Sequence, residues 1–403
     1  MTGRAEFIDL LGGLWRLSKG LEFKRTCGGL GSTWSGQPEW DSLFPMHVKE
    51  NQPLAPFTTF GIGGPARWFV QAASEAEIAE AVAWARSRNT SLFVLGGGSN
   101  LLVSDRGFDG LVLRVPLTGI SSSDKGAQRI YSCAAGENWD AFVERATRDN
   151  CAGIECLAGI PGTVGGTPVQ NVGAYGQEVS STIDRVRAFD LTLLEFVEFT
   201  AAQCEFSYRR SRFSSTDRNR FIVTRVDYRL THGGAPTLRY ADVQRAFDDR
   251  PPNAPAPTLP EVAAAVRRIR QTKGMLIVEG DPDCRSAGSF FKNPIVTAEH
   301  ADRIAAASAK PLPRYPAGPE PENSGSDGAN RVKLAAAWLI EQAGFSKGYA
   351  LGRAAISARH TLALVNRGAA AAADILALAA EIRAAVEDQF GIQLEMEPVL
   401  VGF

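Results

Sequence analysis

From about residue 51 onward, the chain alternates between apolar runs typical of strands and apolar residues spaced as on one face of a helix. Residues 66–72 predict a strand. A helix is predicted next, because Ser74 and Glu77 form a capping box and the apolar residues after them recur at helical spacing. Residues 92–95 then predict a buried strand that runs directly into a row of glycines. This order predicts a fold that mixes helices with sheets.

The rest of the chain predicts elements of both kinds on either side of a proline-rich segment. Upstream of it, a helix is predicted at 138–148 and strands at 111–115, 183–190 and 221–230, and residues 101–103 are an apolar stretch. Serial prolines at 250–257 predict a stiff linker, with a domain boundary at or just before it. Downstream, we predict helices at 262–273, 334–338 and 374–391, a polar loop at 311–330 and a final strand at 392–402.

Composition narrows the class of protein. At 403 residues the chain exceeds the length at which a single core usually stops growing, so two or three domains are expected. It is 44% hydrophobic and 22% charged with a formal net charge of -1, which gives no basic surface for nucleic acid or anionic membrane and favours small molecules as partners. No apolar run approaches the ~18 residues of a membrane span. Glu6 and Asp9 lie where a signal peptide needs an apolar core, so we expect a cytoplasmic location.

The cysteines predict neither a disulfide nor a metal site. None belongs to a CxxC pair, and none has metal-ligand spacing to a histidine. Cys151 and Cys156 lie among small apolar residues, and this setting favours buried thiols over a redox pair. We therefore expect reduced thiols at Cys27, Cys133, Cys151, Cys156, Cys204 and Cys284.

Two glycine-rich segments are the first candidates for chemistry. Residues 96–100 (GGGSN) follow a predicted strand, and consecutive backbone N–H groups without Cβ obstruction suit a pyrophosphate. A plain glycine turn is the alternative, since the Rossmann pattern GxGxxG is absent. Residues 159–176 interleave glycines with short apolar residues, as expected where backbone presses against a flat, rigid ligand. A glycine-rich turn without a ligand is the alternative there.

Both segments resemble the FAD-binding half of the UDP-N-acetylenolpyruvoylglucosamine reductase family, the first of them within the string GGGSNLLVSDRGFDGLVLR at 96–114. The flavin domain of that family is similar to that of the p-cresol methylhydroxylase and vanillyl-alcohol oxidase superfamily. The resemblance runs from Thr58 to Gly402 and implies non-covalently bound FAD, with its pyrophosphate and isoalloxazine held by the two segments. The implied cofactor-binding residues are Gly96, Gly97, Gly98, Ser99, Asn100, Leu101, Ile160, Pro161, Gly162, Gly165, Gly166, Thr167, Gln170, Asn171, Gly173, Ala174 and Tyr175.

Two further strings resemble the family and carry residues that it implies to be catalytic. YRRSRF at 208–213 places Arg209 where the family's arginine faces the enolpyruvyl carboxylate of the substrate, although such a string alone is typical of a solvated basic turn. The next position is often acidic in the family and is arginine here. GSFFKNP at 288–294 matches the family residue for residue and implies that Ser289 protonates the substrate carbon. Taken alone, the string predicts a serine at a strand edge.

The third catalytic residue implied by the resemblance lies near the C-terminus. LEMEPVLVG at 394–402 alternates as a half-buried strand does, which predicts that Glu395 and Glu397 share one face. The family pattern implies that Glu397 is the catalytic carboxylate. Pro398 stands where the family usually has a hydrophobic residue, and because proline lacks a backbone donor, the strand must end or lie at an edge there.

Contacts to the UDP end of the substrate are implied by shorter matches, among them LxYxD at 238–242. The tyrosine in this match implies the subtype of the family with a substrate-capping loop. An exposed surface role is the alternative for each residue of the set. The implied substrate-binding residues are Tyr240, Arg270, Lys273, Asn293 and His360.

The resemblance implies an NADPH-dependent enzyme that reduces UDP-N-acetyl-3-O-(1-carboxyvinyl)glucosamine to UDP-N-acetylmuramate in peptidoglycan precursor synthesis. It implies an α+β (mixed α/β) fold with a two-subdomain FAD-binding region of the p-cresol methylhydroxylase type and a C-terminal α+β substrate-binding domain. We assign residues 51–232 to the first and 233–403 to the second, whose last strand returns to the first subdomain in the family. Residues 1–50 form an N-terminal extension of unknown role. We expect a monomer.

Two other functions stay open at this point. An FAD oxidase of the vanillyl-alcohol oxidase superfamily would act on phenols or sugars and consume oxygen without NADPH. The string GSFFKNP and the lack of that group's longer substrate domain count against it. A catalytically inactive FAD or UDP-sugar binding protein is the second alternative, and the presence of Arg209, Ser289 and Glu397 together counts against it.

Overall fold

Strands and helices follow one another along the whole of the computed structural model, which describes residues 46–251, 253–317 and 330–403. The strands are β1 (Lys49–Pro53), β2 (Pro65–Gln71), β3 (Leu92–Leu95), β4 (Leu101–Val103), β5 (Phe108–Arg114), β6 (Ile120–Lys125), β7 (Gln128–Ala134), β8 (Cys151–Ala152), β9 (Gly173–Ala174), β10 (Gln177–Glu178), β11 (Ile183–Asp190), β12 (Glu195–Thr200), β13 (Phe221–His232), β14 (Ile295–Thr297), β15 (Arg314–Pro316), β16 (Arg331–Leu334), β17 (Ala350–Leu351), β18 (Ala354–Ile356), β19 (Leu364–Asn366) and β20 (Val399–Val401). The α-helices are α1 (Glu75–Ser87), α2 (Trp139–Arg148), α3 (Ala241–Arg245), α4 (Leu259–Thr272), α5 (Ala298–Ala307), α6 (Ala336–Gln342) and α7 (Ala372–Phe390). The predicted α+β class is confirmed. Within the described ranges, no helix has the length and apolarity needed to cross a bilayer.

The first sheet ends beside the first glycine segment. Its strand order is β1-β2-β5-β3, and both β2 and β3 run parallel to β5. Helix α1 connects β2 to β3. Its N-terminus is capped by Ser74, whose side chain accepts a hydrogen bond from Glu77 N at 3.2 Å. Gly96 follows the last residue of β3 directly. The glycine segment therefore leaves the carboxyl end of a parallel strand, where open α/β sheets generally bind ligands.

The second sheet supports the second glycine segment. It is antiparallel with the order β12-β11-β13-β7-β6, and β8 also pairs with β13. Helix α2 packs on it through buried aromatic residues, since the Phe142 and Tyr228 rings lie 5.1 Å apart. Thr167 of the glycine segment hydrogen-bonds the Tyr228 hydroxyl at 2.6 Å, and Gly165 N donates to Ala135 O at 2.8 Å. The segment is thus held against the middle of the sheet.

The C-terminal part packs around α7 and ends on the first part of the chain. Two three-stranded sheets, β14-β16-β15 and β17-β18-β19, share an apolar core with α7 that includes the fully buried Phe290 and Phe291. Strand β20 then pairs in parallel with β4, and Val401 joins the core that contains Leu95 of β3. The last strand therefore lies directly beside the chain that follows the first glycine segment. The domain limits at residues 50 and 232 stay predictions.

The C-terminal strand is shorter than its alternating pattern predicts. Pro398 has no backbone N–H to give to a ladder, and β20 begins only at the next residue. Before it, Met396 makes a single bridge to Phe291. The Glu395 side chain is 71% exposed and that of Glu397 only 13%, so the two carboxylates differ in burial. Their predicted common face stays a prediction.

Two smaller predictions also differ from the structure. Leu334 ends strand β16 instead of beginning a helix, and α6 starts two residues later. The predicted polar loop at 311–330 contains strand β15, which pairs with β16, while residues 318–329 lie outside the described ranges. In both cases short segments owe their strand geometry to a neighbouring strand, which local propensity does not encode.

The cysteines of the described residues are all buried and unpaired. Burial raises the pKa of the Cys156 and Cys204 thiols to about 12, so these side chains stay protonated and unreactive at neutral pH. Cys27 lies outside the described residues.

Candidate active site

A cavity of about 470 Å³ lies between the two glycine segments and the C-terminal strings. All the residues predicted to be catalytic or to bind substrate line it: Arg209, Ser289, Glu397, Tyr240, Arg270, Lys273, Asn293 and His360. So does every predicted cofactor-binding residue except Gly165 and Asn171. The cavity brings together residues that are nearly 300 positions apart in the sequence. For example, Asn100 Nδ2 donates a hydrogen bond to Glu397 O at 3.2 Å.

Gly165 and Asn171 lie behind the cavity wall. A Cβ on Gly165 would come within 2.6 Å of the Ala135 side chain, so a larger residue there would push the segment off the second sheet. Asn171 is 1% exposed, and its amide group donates to Glu178 Oε2 at 2.9 Å and to Ser207 O at 3.0 Å. Both residues shape the wall by packing and hydrogen bonding within the protein.

The two glycine segments approach each other so closely that side chains are excluded between them. A Cβ on Gly97 would lie 2.5 Å from Gly162 Cα, and one on Gly98, whose φ is +64°, would lie 1.7 Å from Phe57 O. Gly166 differs from both, because a Cβ there would meet no atom within 4 Å and would point into open space. The backbone of the second segment is therefore bare toward the cavity, as contact with a flat ligand requires.

A second cavity of about 450 Å³ adjoins the first at the first glycine segment. Thr59, Gly96, Gly97, Thr163, Ile277 and Cys284 line both cavities. An elongated ligand with phosphates at its middle would place those phosphates at the glycine backbone, and the residues present fit FAD in this respect. Thr59 was not predicted, although it lies in the string TTFGIGG that begins the family resemblance.

Arg209 and Glu397 form an ion pair in the wall of the first cavity. Arg209 Nε lies 3.1 Å from Glu397 Oε1. The other guanidinium nitrogens hold the second glycine segment, since Nη2 donates to Gly173 O at 2.6 Å and Nη1 to Asn171 O at 3.4 Å. The arginine is thereby fixed in place from two sides before any ligand binds.

Glu397 is a buried carboxyl group with a perturbed acidity. Burial raises the pKa of Glu397 above its usual value, and the charges of Arg209 and Lys292 offset this only in part. Its backbone N donates to Phe290 O at 2.9 Å, which ties the carboxyl group to the GSFFKNP string. A carboxyl group in this setting can hold a proton more readily than an exposed one and can donate it in a hydrogen bond.

Glu397→Gln is expected to show the raised pKa as a pH-dependent stability difference. A folded-state pKa above the unfolded value means that wild-type stability falls as pH rises from about 4.5. Glutamine does not titrate, so the unfolding midpoint of Glu397→Gln minus that of wild type should increase between pH 5 and pH 8. Thermal unfolding followed by circular dichroism measures this difference, with the exposed Glu299→Gln as the control. A difference that shrinks with rising pH would show that the ion pair with Arg209 outweighs burial.

Hydrogen bonds hold the backbone of the GSFFKNP string around Ser289. Gly288 has a φ of +74°, and its N–H donates to Ser286 Oγ at 3.2 Å. Phe290 N donates to Leu362 O at 2.7 Å, while its ring is fully buried. Asn293 Oδ1 accepts from Ala336 N at 2.9 Å. The backbone is fixed on both sides of Ser289, so its hydroxyl is presented to the cavity from a rigid support.

At the far end of the cavity, polar and aromatic side chains of the predicted substrate-binding set converge. Lys273 Nζ lies 2.6 Å from Asp242 Oδ2 and 5.7 Å from the centre of the Tyr175 ring. Tyr240 packs perpendicular to Tyr175 with ring centres 5.3 Å apart and stays 41% exposed. Asp242 was not singled out from the sequence, although it ends the LxYxD match. Together these residues form a partly open rim with one ammonium group.

Two further residues of that set, Arg270 and His360, do not form a simple cationic site. Arg270 is 6% exposed, and its guanidinium donates to Gly159 O at 3.0 Å and to Met275 O at 2.7 Å, so it also supports the second glycine segment. Burial together with nearby positive charges lowers the pKa of His360 to about 4. His360 is therefore neutral at physiological pH and can accept or donate one hydrogen bond without a charge.

The fold and the site define a flavin-binding oxidoreductase. Residues 66–194 match the sequence model of the FAD binding domain family. Residues 281–401 match that of the UDP-N-acetylenolpyruvoylglucosamine reductase, C-terminal domain. The chain belongs to the UDP-N-acetylenolpyruvoylglucosamine reductase family, and the resemblance, enzyme class and FAD cofactor predicted from the motifs are confirmed.

Individual relatives cover nearly the whole chain. The UDP-N-acetylenolpyruvoylglucosamine reductase of Streptomyces avermitilis is 46% identical over 371 residues, which cover 89% of this chain and 96% of the relative. That of Thermobifida fusca is 44% identical over 365 residues, covering 87% and 97%. The crystal structure of UDP-N-acetylenolpyruvylglucosamine reductase (MurB) from Thermus caldophilus matches with a TM-score of 0.58 at 26% identity, covering 88% of this chain and 99% of that one.

Proposed function

We propose that this protein reduces UDP-N-acetyl-3-O-(1-carboxyvinyl)glucosamine to UDP-N-acetylmuramate with NADPH, in peptidoglycan precursor synthesis. The observation that carries the proposal is that Arg209, Ser289 and Glu397, from three distant strings, line one cavity with both glycine segments. The relatives that match nearly the whole chain bear the name of this reductase. An inactive binding protein would not need a buried ion pair beside a rigidly held hydroxyl group.

FAD is proposed to run across both cavities. The first glycine segment would hold its pyrophosphate, the second cavity its adenosine half, and the second glycine segment its isoalloxazine ring. The open space at Gly166 supports this placement, because a bare backbone there allows a flat ring to approach. When bound, FAD supplies a hydride carrier between NADPH and the substrate.

Arg209 and Glu397 are proposed to stabilise the charge that develops on the substrate carboxylate. Hydride addition at C3 of an enol ether conjugated to a carboxylate moves negative charge onto the carboxylate oxygens. The Arg209 guanidinium supplies a fixed positive charge, and a protonated Glu397, favoured by burial, supplies a hydrogen-bond donor. Preorganised donors of this kind typically contribute about 2.7–4 kcal/mol each to transition-state stabilisation.

Ser289 is proposed to complete the reaction as the acid at carbon. Its hydroxyl group lines the cavity with Arg209 and Glu397, and its O–H proton would pass to C2. The product then carries one added hydrogen at C3 and one at C2, and the serine regains its proton from solvent. A hydroxyl group is a weak acid, but the charge-delocalised carbanion at C2 is a strong base.

The UDP end is proposed to lie at the rim formed by Tyr240, Lys273 and neighbouring residues. Lys273 would provide the positive charge for the diphosphate, while Asn293 and neutral His360 would provide polar contacts. The exposed Tyr240 ring would cover the bound substrate. Arg270 would act in part by supporting the cavity wall, because its guanidinium group already donates hydrogen bonds to two backbone carbonyl groups.

We further propose that residues 51–232 form the FAD-binding region and 233–403 the substrate-binding domain. The matched ranges 66–194 and 281–401 fall inside these limits, and the pairing of β20 with β4 supports a return of the chain end to the FAD-binding region. The protein is proposed to act as a monomer in the cytoplasm, where NADPH is regenerated.

The visible spectrum of the purified protein tests the proposal. Bands of oxidised flavin should bleach with NADPH under anaerobic conditions and recover when the enolpyruvyl substrate is added. Reoxidation by oxygen with a phenol or sugar as the only reductant would instead identify an oxidase. A protein without flavin bands that takes up no added FAD would contradict both functions.

A further inference from the structure

One wall of the second cavity is a short segment between α4 and the GSFFKNP string. Residues 276–286, here called the clasp, have no helix or strand of their own apart from one 3₁₀ turn at Pro282–Cys284. Ile277, Val278, Glu279, Gly280, Asp281, Cys284 and Arg285 of the clasp line this cavity. Ile277 is 54% exposed, so the clasp lies between the cavity and solvent.

The guanidinium group of Arg359 holds the part of the clasp that contains Asp281 and Asp283. Arg359 Nε donates to Asp283 Oδ2 at 3.0 Å, and Nη2 donates to Asp281 Oδ2. Its Nη1 donates to Gln271 O at 3.1 Å, at the end of helix α4. The planar guanidinium therefore joins the clasp to the end of helix α4, and a lysine could not match its fork geometry.

Arg359 lies beside residues of both cavity walls: its partner Asp281 lines the second cavity, and its chain neighbour His360 lines the first. Its partner Gln271 lines neither cavity but directly follows Arg270, which lines the first. The downstream end of the clasp has separate anchors, since Thr59 Oγ1 donates to Ser286 O at 2.6 Å and Asn366 N to Arg285 O at 3.0 Å. Loss of the Arg359 side chain would therefore release Asp281, while Asp283 keeps a hydrogen bond from Ala358 N at 3.3 Å and the downstream end stays attached.

We propose that Arg359 is a positioning residue for the flavin cofactor: by holding the clasp over the second cavity, it sets how slowly FAD dissociates. The inference rests on the proposed placement of FAD across both cavities. Arg359 lines neither cavity, so it acts on the cofactor only through the clasp.

The rate of FAD release from the holoprotein tests this role. Free FAD is removed by rapid gel filtration, and the flavin absorbance that stays with the protein is then followed over time. We expect release to be about 10- to 100-fold faster in Arg359→Gln, because charge-assisted hydrogen bonds to two carboxylates are lost. Arg359→Lys should give an intermediate rate, and Asp281→Asn should be faster than wild type. Arg303→Gln, which removes an exposed pair with Glu299, is the matched control and should not change the rate.

A second readout separates positioning from general stability. Bound FAD raises the unfolding midpoint by an amount that depends on its affinity, so the difference between holoprotein and apoprotein should shrink in Arg359→Gln. Release within twofold of wild type in a folded Arg359→Gln would overturn the inference. If that variant does not fold, Asp281→Asn decides in the same assay, because it removes one charge and leaves the contacts to Asp283 and Gln271 in place. A wild-type protein that holds no FAD would instead overturn the proposed function.

Discussion

Replacing Ser289 with alanine is expected to leave FAD binding and reduction by NADPH intact while abolishing turnover of the enolpyruvyl substrate. The hydroxyl is needed only where a proton reaches carbon, and the backbone on both sides of it is fixed by hydrogen bonds that alanine keeps. General acid catalysis contributes typically ~10²–10⁴-fold, and a proton donor at carbon is poorly replaced by water, so the loss should reach about 10⁴-fold. Stopped-flow absorbance of the flavin measures each half-reaction separately.

Two comparisons make the Ser289 result specific. Ser289→Cys should recover part of the rate, since a thiol can also donate a proton. Ser122→Ala, at an exposed position of β6, should behave as wild type. Unchanged flavin reoxidation by substrate in Ser289→Ala would remove Ser289 from the mechanism, whereas loss of reduction by NADPH would point to a role in positioning.

Gly166→Val is expected to yield folded protein with less than about one-tenth of the wild-type flavin. A Cβ at this position meets no protein atom within 4 Å, and Gly166 lines the cavity proposed for the cofactor, so the added side chain would occupy part of that space. Flavin content is measured as the ratio of visible to ultraviolet absorbance, and folding by circular dichroism. Gly166→Ala should lose less flavin than Gly166→Val, because its side chain reaches less far into the cavity. Full occupancy in the valine variant would contradict the placement of the ring.

Gly98→Ala provides the contrast that isolates the cofactor. There the Cβ would lie 1.7 Å from Phe57 O, and the φ of +64° disfavours any side chain, so the expected loss is of folding itself. Flavin loss accompanied by a lowered unfolding midpoint in Gly98→Ala, and without it in Gly166→Val, would separate glycines that the fold requires from those that the ligand requires.

Local patterns in the sequence were sufficient for the elements that organise the first sheet. Ser74 caps α1 as predicted, although the Glu77 side chain accepts from Ala73 N instead of Ser74 N, so the capping box is not closed. The apolar run at 92–95 forms β3 with the same limits. Both signals depend on interactions within a few residues, which the sequence displays directly. The strings around Arg209, Ser289 and Glu397 identified the chemistry because they match the family as contiguous strings, and the structure places all three residues at one cavity.

The sequence did not predict which of two similar neighbouring residues is packed within the protein and which lies at the cavity. Gly165 and Gly166 look alike in the chain, yet one packs against Ala135 and the other faces the cavity. Glu395 and Glu397 follow an alternating pattern, yet only the second is buried beside Arg209. In each case the difference arises from contact with a segment that is distant in the sequence. The local spacing of hydrophobic residues does not encode such a contact.

The class of fold, the family and the residue types that carry the chemistry could therefore be predicted from the amino-acid sequence. The tertiary structure alone decided which of those groups meet: the ion pair of Arg209 with Glu397, the second cavity beneath the clasp, and the contacts of Arg359 that hold it. The physical reason is that helix caps and glycine conformations are local properties of the chain, whereas burial, pKa and ion pairing arise only when packing brings distant segments within a few ångströms.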